Sequence, residues 1–499
     1  MSYEVVVVGG GIGGLTCAAL LAARGLRVCL LERGSAAGGC AAGFEQAGHR
    51  FETGAGLYAS WQPGEIHERV FAELPVEAPE ARRLKPSYVV RMPDGAEVRV
   101  GAEAEEFEES LRAAFPECVD EALRFYRELE PLAEALHRAA ARFPALATAS
   151  RLQRLKLLAS EARLSSTILG GLGQTAAPHL AGTSARFRRF VDAQLQIFAQ
   201  VPSDAAAYLY AAVALSQGRR GMYAVRGGAR ALVETLVESI RLSGGTVRLD
   251  SPVLRLAFRE GGTTAAGVTL LSGELVEATR AVVSNLTVWD TFGKLVGAER
   301  TPPEVRARLK GLRGWGAYQI FLSADEEAAR RLPAEHVLAL TDWQEGEEFD
   351  PARSLLMYGS APAWDARAPE GKRAVTVSTF TDAAQWFSFH EDESEHEEQD
   401  ARALEELWGR LHAALPELGA GAEVFETETP RTIYERTRRR LGMVGGIGQS
   451  LEVFGPKAPT HRTPIKNLFM VGDTTFPGNG LAAVTQSALV AADEIYPRR

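Results

Sequence analysis

The chain has 499 residues, 46% apolar and 24% charged, ordinary globular values that exclude a disordered, collagenous or mucin-like chain. Lys and Arg number 55 against 64 Asp and Glu, a net charge of −9, and there is no long basic tract, so no nucleic-acid partner is expected. The four cysteines, Cys17, Cys29, Cys40 and Cys118, form no CxxC pair and are too few for a disulfide framework or zinc site, so no metal and a reducing, cytoplasmic setting are expected.

Residues 5–23 carry no charge, but they open on a glycine-rich stretch and no basic side chain precedes them, so neither a signal peptide nor a membrane span is read there. Val5, Val6, Val7 and Val8 form a β-branched run suited to a buried parallel strand. The chain then turns through Gly9, Gly10, Gly11, Gly13 and Gly14 into LTCAALLAARG, a predicted helix that stops at Gly25. A second apolar run, 28–31, ends in Glu32. This is Gly9-x-Gly11-x-x-Gly14 between strand and helix, followed by an acid closing the next strand. Gly9 permits the tight turn, and Gly11 lets backbone N–H groups approach a pyrophosphate at the helix N-terminus. Gly14 lets helix and strand pack closely, and Glu32 accepts from ribose hydroxyls. A dinucleotide cofactor follows.

The segment ERGSAAGGCAAGF places Gly38 and Gly39 after the acidic strand end, and this extension resembles FAD proteins of the amine oxidase and carotenoid desaturase superfamily. The resemblance implies FAD as cofactor and adds Arg33, Gly38 and Gly39 to its site. Many such enzymes carry an arginine after the paired glycines; this chain has Cys40, which fits the carotenoid branch better. With no base or cation assigned to it, Cys40 reads as a small packed residue rather than a nucleophile.

A central block, YAVRGGARALVETLVESIRLSGGTVRLDSPVLRLAF, predicts a helix over 229–242, a glycine stop and two short strands; GVTLLSGELVEATRAVVSN adds strand, turn, strand and a last apolar strand. In relatives this block returns to the cofactor domain, and the backbone at Val253 meets the adenine. The end of the chain, LFMVGDTTFPGNGLAAVTQSALVAADE, reads as an apolar strand, Asp473, a glycine loop and a helix from Leu481. The resemblance assigns Asp473 to the ribityl hydroxyls and the backbone at Gly480 and Leu481 to the flavin ring; the alternative is an Asp that only caps its loop.

The expected fold is α/β: a Rossmann-like FAD-binding domain from residues 1–60, 222–290 and 430–499, and a discontinuous mixed α+β substrate domain from 61–221 and 291–429. Within the latter, 104–142 and 186–217 are predicted helical, with aromatic and small apolar residues that serve as core or as a substrate channel. Acid and base candidates are poor. His390 and His396 in HEDESEHEEQD read as a solvated acidic face. In AGHRFETGAGLY, His49 and Glu52 follow the flavin loop, and Glu52 is either a weak catalytic candidate or a partner of Arg50 or a backbone turn.

The ordered set GGGIGGL, FETGAGLY, WQPGEIHERVF, FVDAQLQIFAQ, LYAAVALSQGRRGMYAVRGGA and VGDTTFPGNGLAAV is similar to the bacterial carotenoid desaturase and isomerase group, related to phytoene desaturase, and above all to 3,4-desaturases. That similarity implies desaturation of a long apolar polyene by hydride transfer to FAD, with oxygen or a quinone as electron acceptor. The alternatives are a carotenoid cis–trans isomerase using reduced FAD, an amine oxidase, and a non-enzymatic prenyl-binding escort protein, which a degraded flavin motif would mark. Within 145–169, Leu152, Leu155, Leu158 and Ala162 recur at helical spacing beside Arg151, Arg154, Lys156 and Arg163, a pattern of either a peripheral contact with the cytoplasmic membrane face or a packed amphipathic helix.

Overall fold

In the computed structural model, which describes residues 2–142, 159, 165–342, 346–387, 393–454 and 457–498, the valine run lies in the strand Ser2–Val8. Its β-branched side chains are buried on both faces, as a strand covered by helices on each side requires. Parallel neighbours are Val28–Leu31 on one side and Leu275–Ser284 on the other; Thr246–Arg248 and Leu468–Met470 extend the parallel sheet at its two ends. Strands Val253–Phe258 and Ala265–Leu270 join antiparallel, completing seven strands among the described residues. The helix Ile12–Ala23 is built almost wholly of Gly, Ala, Leu and other small residues, and is buried along its length. Those small side chains let it pack against the helices Gly228–Leu242 and Leu481–Ile495 in one core.

A second seven-stranded sheet runs in the order Ala422–Glu428, Gly316–Asp325, Lys372–Thr381, Leu355–Ser360, His336–Leu340, Tyr88–Arg91, Glu97–Val100. Only the contact of His336–Leu340 with Tyr88–Arg91 is parallel among the described strands. The helices Val119–Arg142, Ala185–Ala199 and Tyr208–Arg220 share a core with its last strands through Tyr88, Val98, Leu129, Phe187, Phe190 and Leu215.

Three details differ from the sequence reading. The stretch 186–217 is two helices, because the chain turns left-handed at Gln200 and Pro202 supplies no donor to continue the ladder. ELVEATRAVVSN holds one strand, Leu275–Ser284, whose first half pairs with Ala265–Leu270 and whose second half enters the parallel sheet. His396, expected on a solvated face, is buried in the helix Glu393–Ala414 edge-on to Trp386. One apolar stripe of that otherwise acidic helix packs inward, and the side of the stripe is set by the fold. His390 and residues 145–158 and 160–164 of the basic stretch lie outside the described residues. No helix among the described residues is long and apolar enough to cross a membrane.

Candidate cofactor and substrate site

At the C-terminal end of Ser2–Val8 the backbone turns through Gly9 at φ 100°, a conformation that costs only glycine nothing. Gly11 caps the helix Ile12–Ala23 with no side-chain hydrogen bond and no acid in the first turn, so its leading N–H groups are free to bind an anion. A Cβ at Gly14 would lie 2.1 Å from the Gly9 carbonyl oxygen, which makes this helix–strand approach accessible to glycine alone. At Gly11 and Gly13 a Cβ would fall 2.8 and 2.7 Å from the amide of Asn285. Asn285 follows the strand Leu275–Ser284 and walls this cradle; the sequence reading did not single it out, although its place just after an apolar strand is the signal for such a residue.

Glu32 reaches back to the turn. Its Oε2 accepts the N–H of Gly10 at 2.7 Å and its Oε1 that of Gly34 at 2.8 Å, leaving further lone pairs for a ligand. The Gly38 N–H donates to the Gly10 carbonyl at 2.8 Å, so the second glycine pair lies on the first turn, with Gly38 at φ 128° and Gly39 at φ 59°. Arg33 is exposed and donates to the carbonyls of Glu435 and Arg436 at 3.2 and 3.1 Å, tying the acidic strand end to the last turn of the helix Pro430–Thr437. Ser251 N–H donates to the Glu32 carbonyl at 2.8 Å, which brings Val253, two residues on, close to the same strand end.

From the far end of the chain, Gly472 and Asp473 follow Leu468–Met470, and Gly480 at φ 92° caps the helix beginning at Leu481, again with no side-chain cap and no acid in its first turn. Both carboxylate oxygens of Asp473 accept from Arg439, at 2.7 and 3.3 Å, a pairing that sequence spacing gave no reason to suspect. His461 supports the loop from behind: its Nε2 and the N–H of Gly472 both meet the Ser487 hydroxyl, at 3.2 and 3.3 Å. Burial lowers the His461 pKa to about 4, so the ring is neutral at pH 7.

This loop forms one end of a cavity of about 290 Å³. Asp473, Thr475, Gly480 and Leu481 line that end; the remainder is mostly apolar, with Leu57, Ile197, Phe198, Leu209, Tyr210 and Val213, and also carries Glu65, Arg69, His137 and Gln217. Two carboxylates in the wall are neutralised within the protein, Asp473 by Arg439 and Glu65 by Arg220.

Glu52 lies outside this lining. Its Oε2 accepts from Arg367 Nη1 at 2.6 Å and its Oε1 from the Ala229 N–H at 3.1 Å, at the start of the helix Gly228–Leu242. Arg367 is buried and also donates to Asp365 at 2.7 Å and to the Val225 carbonyl at 2.8 Å. Arg50, the partner considered from sequence, donates instead to the Ala366 carbonyl. His49 is bonded to the Ala47 carbonyl and the Ser323 hydroxyl, facing the second sheet. Burial raises the Cys40 thiol pKa, the opposite of what a nucleophile needs. No group of metal ligands occurs among the described residues.

The residues fit a flavin dinucleotide. Two uncapped helix N-termini and a cradle that Cβ atoms would fill suit its phosphates and ring. Beside the second helix the buried Thr475 hydroxyl has no partner among the described residues. An apolar cavity ending on this loop then defines a flavin-dependent oxidoreductase.

The comparisons agree. The chain belongs to the flavin containing amine oxidoreductase family, whose model matches residues 12–496. Its cofactor is FAD, and it is an FAD-dependent oxidoreductase. It is 25% identical to the chloroplastic prolycopene isomerase of Arabidopsis thaliana over 513 residues, covering 99% of this chain and 82% of that one. It is 23% identical to the phytoene desaturase of Fusarium fujikuroi over 529 residues, covering 99% and 89%. A solved structure of putrescine oxidase bound to putrescine matches with a TM-score of 0.64 at 16% identity, covering 100% of both chains, a likeness of fold.

Proposed function

We propose that this protein dehydrogenates a long, carotenoid-like polyene, with its apolar cavity holding the substrate end-on against the flavin. The observation that carries this reading is that the cavity is walled by Leu57, Ile197, Phe198, Leu209 and Val213 and ends on the Asp473–Leu481 loop. Bound FAD supplies a two-electron acceptor: a saturated carbon pair becomes a double bond as two hydrogens leave, and the electrons pass on to oxygen or a quinone. The chain's own part is to bind the hydrocarbon, orient it and exclude water. An amine substrate is less well served, because the two carboxylates in the wall are already paired with Arg439 and Arg220 and offer no free negative charge to an ammonium group.

Cofactor contacts are proposed at Gly9, Gly11, Gly13, Gly14, Glu32, Arg33, Gly38, Gly39, Val253, Asp473, Gly480 and Leu481. The proposed division into 1–60, 222–290 and 430–499 against 61–221 and 291–429 is supported by the strands. Those of the parallel sheet come from the first set, and those of the second sheet from the second. We also propose a peripheral contact of 145–169 with the cytoplasmic membrane face; Leu169 at its end and the adjoining Leu172 are 53% and 49% exposed.

A second reading, isomerisation of a polyene with the flavin reduced, is favoured by the higher identity to the prolycopene isomerase, 25% against 23% for the phytoene desaturase. Anaerobic mixing of the oxidised enzyme with an acyclic carotenoid separates the two. Desaturation bleaches the flavin and gives a product two hydrogens lighter; a product of unchanged mass, formed only after prereduction of the flavin, decides for the isomerase.

A further inference from the structure

The loop after the helix Pro430–Thr437 is forced close to the cofactor cradle. Arg438 and Leu441 adopt left-handed φ values of 56° and 50°, unusual for residues with a Cβ, and a Cβ at Gly446 would lie 2.3 Å from the Asp473 carbonyl oxygen. Arg436 donates to the Gly39 carbonyl at 2.6 Å, and the Arg440 N–H to Asp290 at 2.9 Å. Between them Arg439 points inward: Nε donates to the Met443 carbonyl at 2.8 Å, and Nη1 and Nη2 grip Asp473.

A guanidinium has five N–H donors, and these bonds use three. Among the described residues the other two have no acceptor, although only 16% of the side chain is exposed. Arg439 is near enough to Cys40 and Asp290 to interact with both electrostatically. Burial acts against its charge, and Asp473 together with Cys40 and Asp290 more than offsets this, so it remains a cation. Cys40 adjoins the Gly38–Gly39 pair, which rests on the Gly10 turn at the N-terminus of Ile12–Ala23. The cation therefore stands beside the Gly38–Gly39 segment that rests on the helix N-terminus, and the glycine turn itself offers no basic side chain to an anion.

We propose that Arg439 is a cofactor-binding residue, one of its remaining N–H groups directed to the diphosphate of FAD while the Nη1–Nη2 edge orients Asp473. This supplies from a distant loop a positive charge that the glycine turn lacks. The inference rests on the FAD reading, and the test keeps the two apart, since a wild-type chain that fails to take up FAD would overturn that reading itself.

The experiment titrates FAD into apoprotein, followed by flavin fluorescence, for the wild type, Arg439→Met and the double variant Arg439→Met/Asp473→Asn, with circular dichroism and melting of each apoprotein as a folding control. Both variants are expected to bind FAD at least tenfold more weakly, with a shallower dependence of affinity on NaCl than the wild type. The double variant removes both charges and is compared with Asp473→Asn alone, so the loss due to Arg439 stays readable if the single variant, with Asp473 left unpaired, does not fold. Wild-type affinity in either variant would overturn the proposal, in the double variant by showing that Arg439 serves only to neutralise Asp473. A salt dependence equal to that of the wild type would overturn the diphosphate contact.

Discussion

The carboxylate of Glu32 accepts the backbone N–H of Gly10 at 2.7 Å, so the acid at the end of the second strand holds the glycine turn in shape, in addition to the ribose contact proposed for it. Substituting it has two costs: lost bonds to the cofactor, and two backbone donors, at Gly10 and Gly34, left without their acceptor. Glu32→Ala is expected to weaken FAD binding by about 1.5–3 kcal/mol, the range for bonds to a charged acceptor, or roughly ten- to over a hundredfold. Titration of apoprotein with FAD measures it; an unchanged dissociation constant would place the ribose elsewhere.

Gly14→Ala tests the close approach of helix and strand. The added methyl meets the Gly9 carbonyl oxygen at 2.1 Å, and a backbone atom in the turn cannot swing away as a flexible side chain can. Overpacking of this kind costs about 1–3 kcal/mol or more. We expect a lower melting temperature and little bound flavin in the purified variant, whereas a variant that keeps wild-type melting and flavin content contradicts this packing.

Arg367 is the hub between Glu52 and Asp365, and the removal of one partner from a buried ionic cluster leaves its counter-charges unpaired. Arg367→Met is expected to destabilise the fold by about 3–5 kcal/mol. Glu52→Gln keeps a bond to the Ala229 N–H and should be milder, with turnover per bound flavin near that of the wild type. A loss of turnover per bound flavin of a hundredfold or more would return Glu52 to a catalytic role.

Burial lowers the pKa of His67 and His336 to about 3 and that of His461 to about 4, against an ordinary 6.5. The unfolded chain thus takes up protons between pH 6.5 and about 4 that the native state refuses. Their contribution to stability is complete above 6.5 and declines as pH falls through that window, by up to about 1.4 kcal/mol per pH unit for each ring. Denaturant midpoints measured from pH 7 to 4.5 should fall, with flavin released as the Gly472 loop loses its support, and His461→Gln should lessen the slope. Midpoints that stay level across this range would mean that the buried rings accept protons.

The glycine turn between the first strand and helix was legible in the chain because everything it requires is local. Gly9, Gly11 and Gly14 must lie within six residues where one backbone turn meets one helix end, and the strand that carries Glu32 follows that helix directly. Burial on both faces likewise shows in the unbroken valines 5–8. Asp473 and Leu481 were readable for the same reason, a strand end, glycine loop and helix start in succession. Ion pairing carries no such local mark. Arg367 lies 315 positions from Glu52, and Arg439 lies 34 from Asp473 in a run of three arginines, any of which has the charge and reach to pair. Which one turns inward depends on the left-handed residues around it and on how closely the loop crosses the Asp473 backbone. The cavity, too, is a property of the assembled helices, since Phe198, Tyr210 and Leu57 have the composition of ordinary core. They wall a site only because the tertiary structure leaves space between them and the flavin loop.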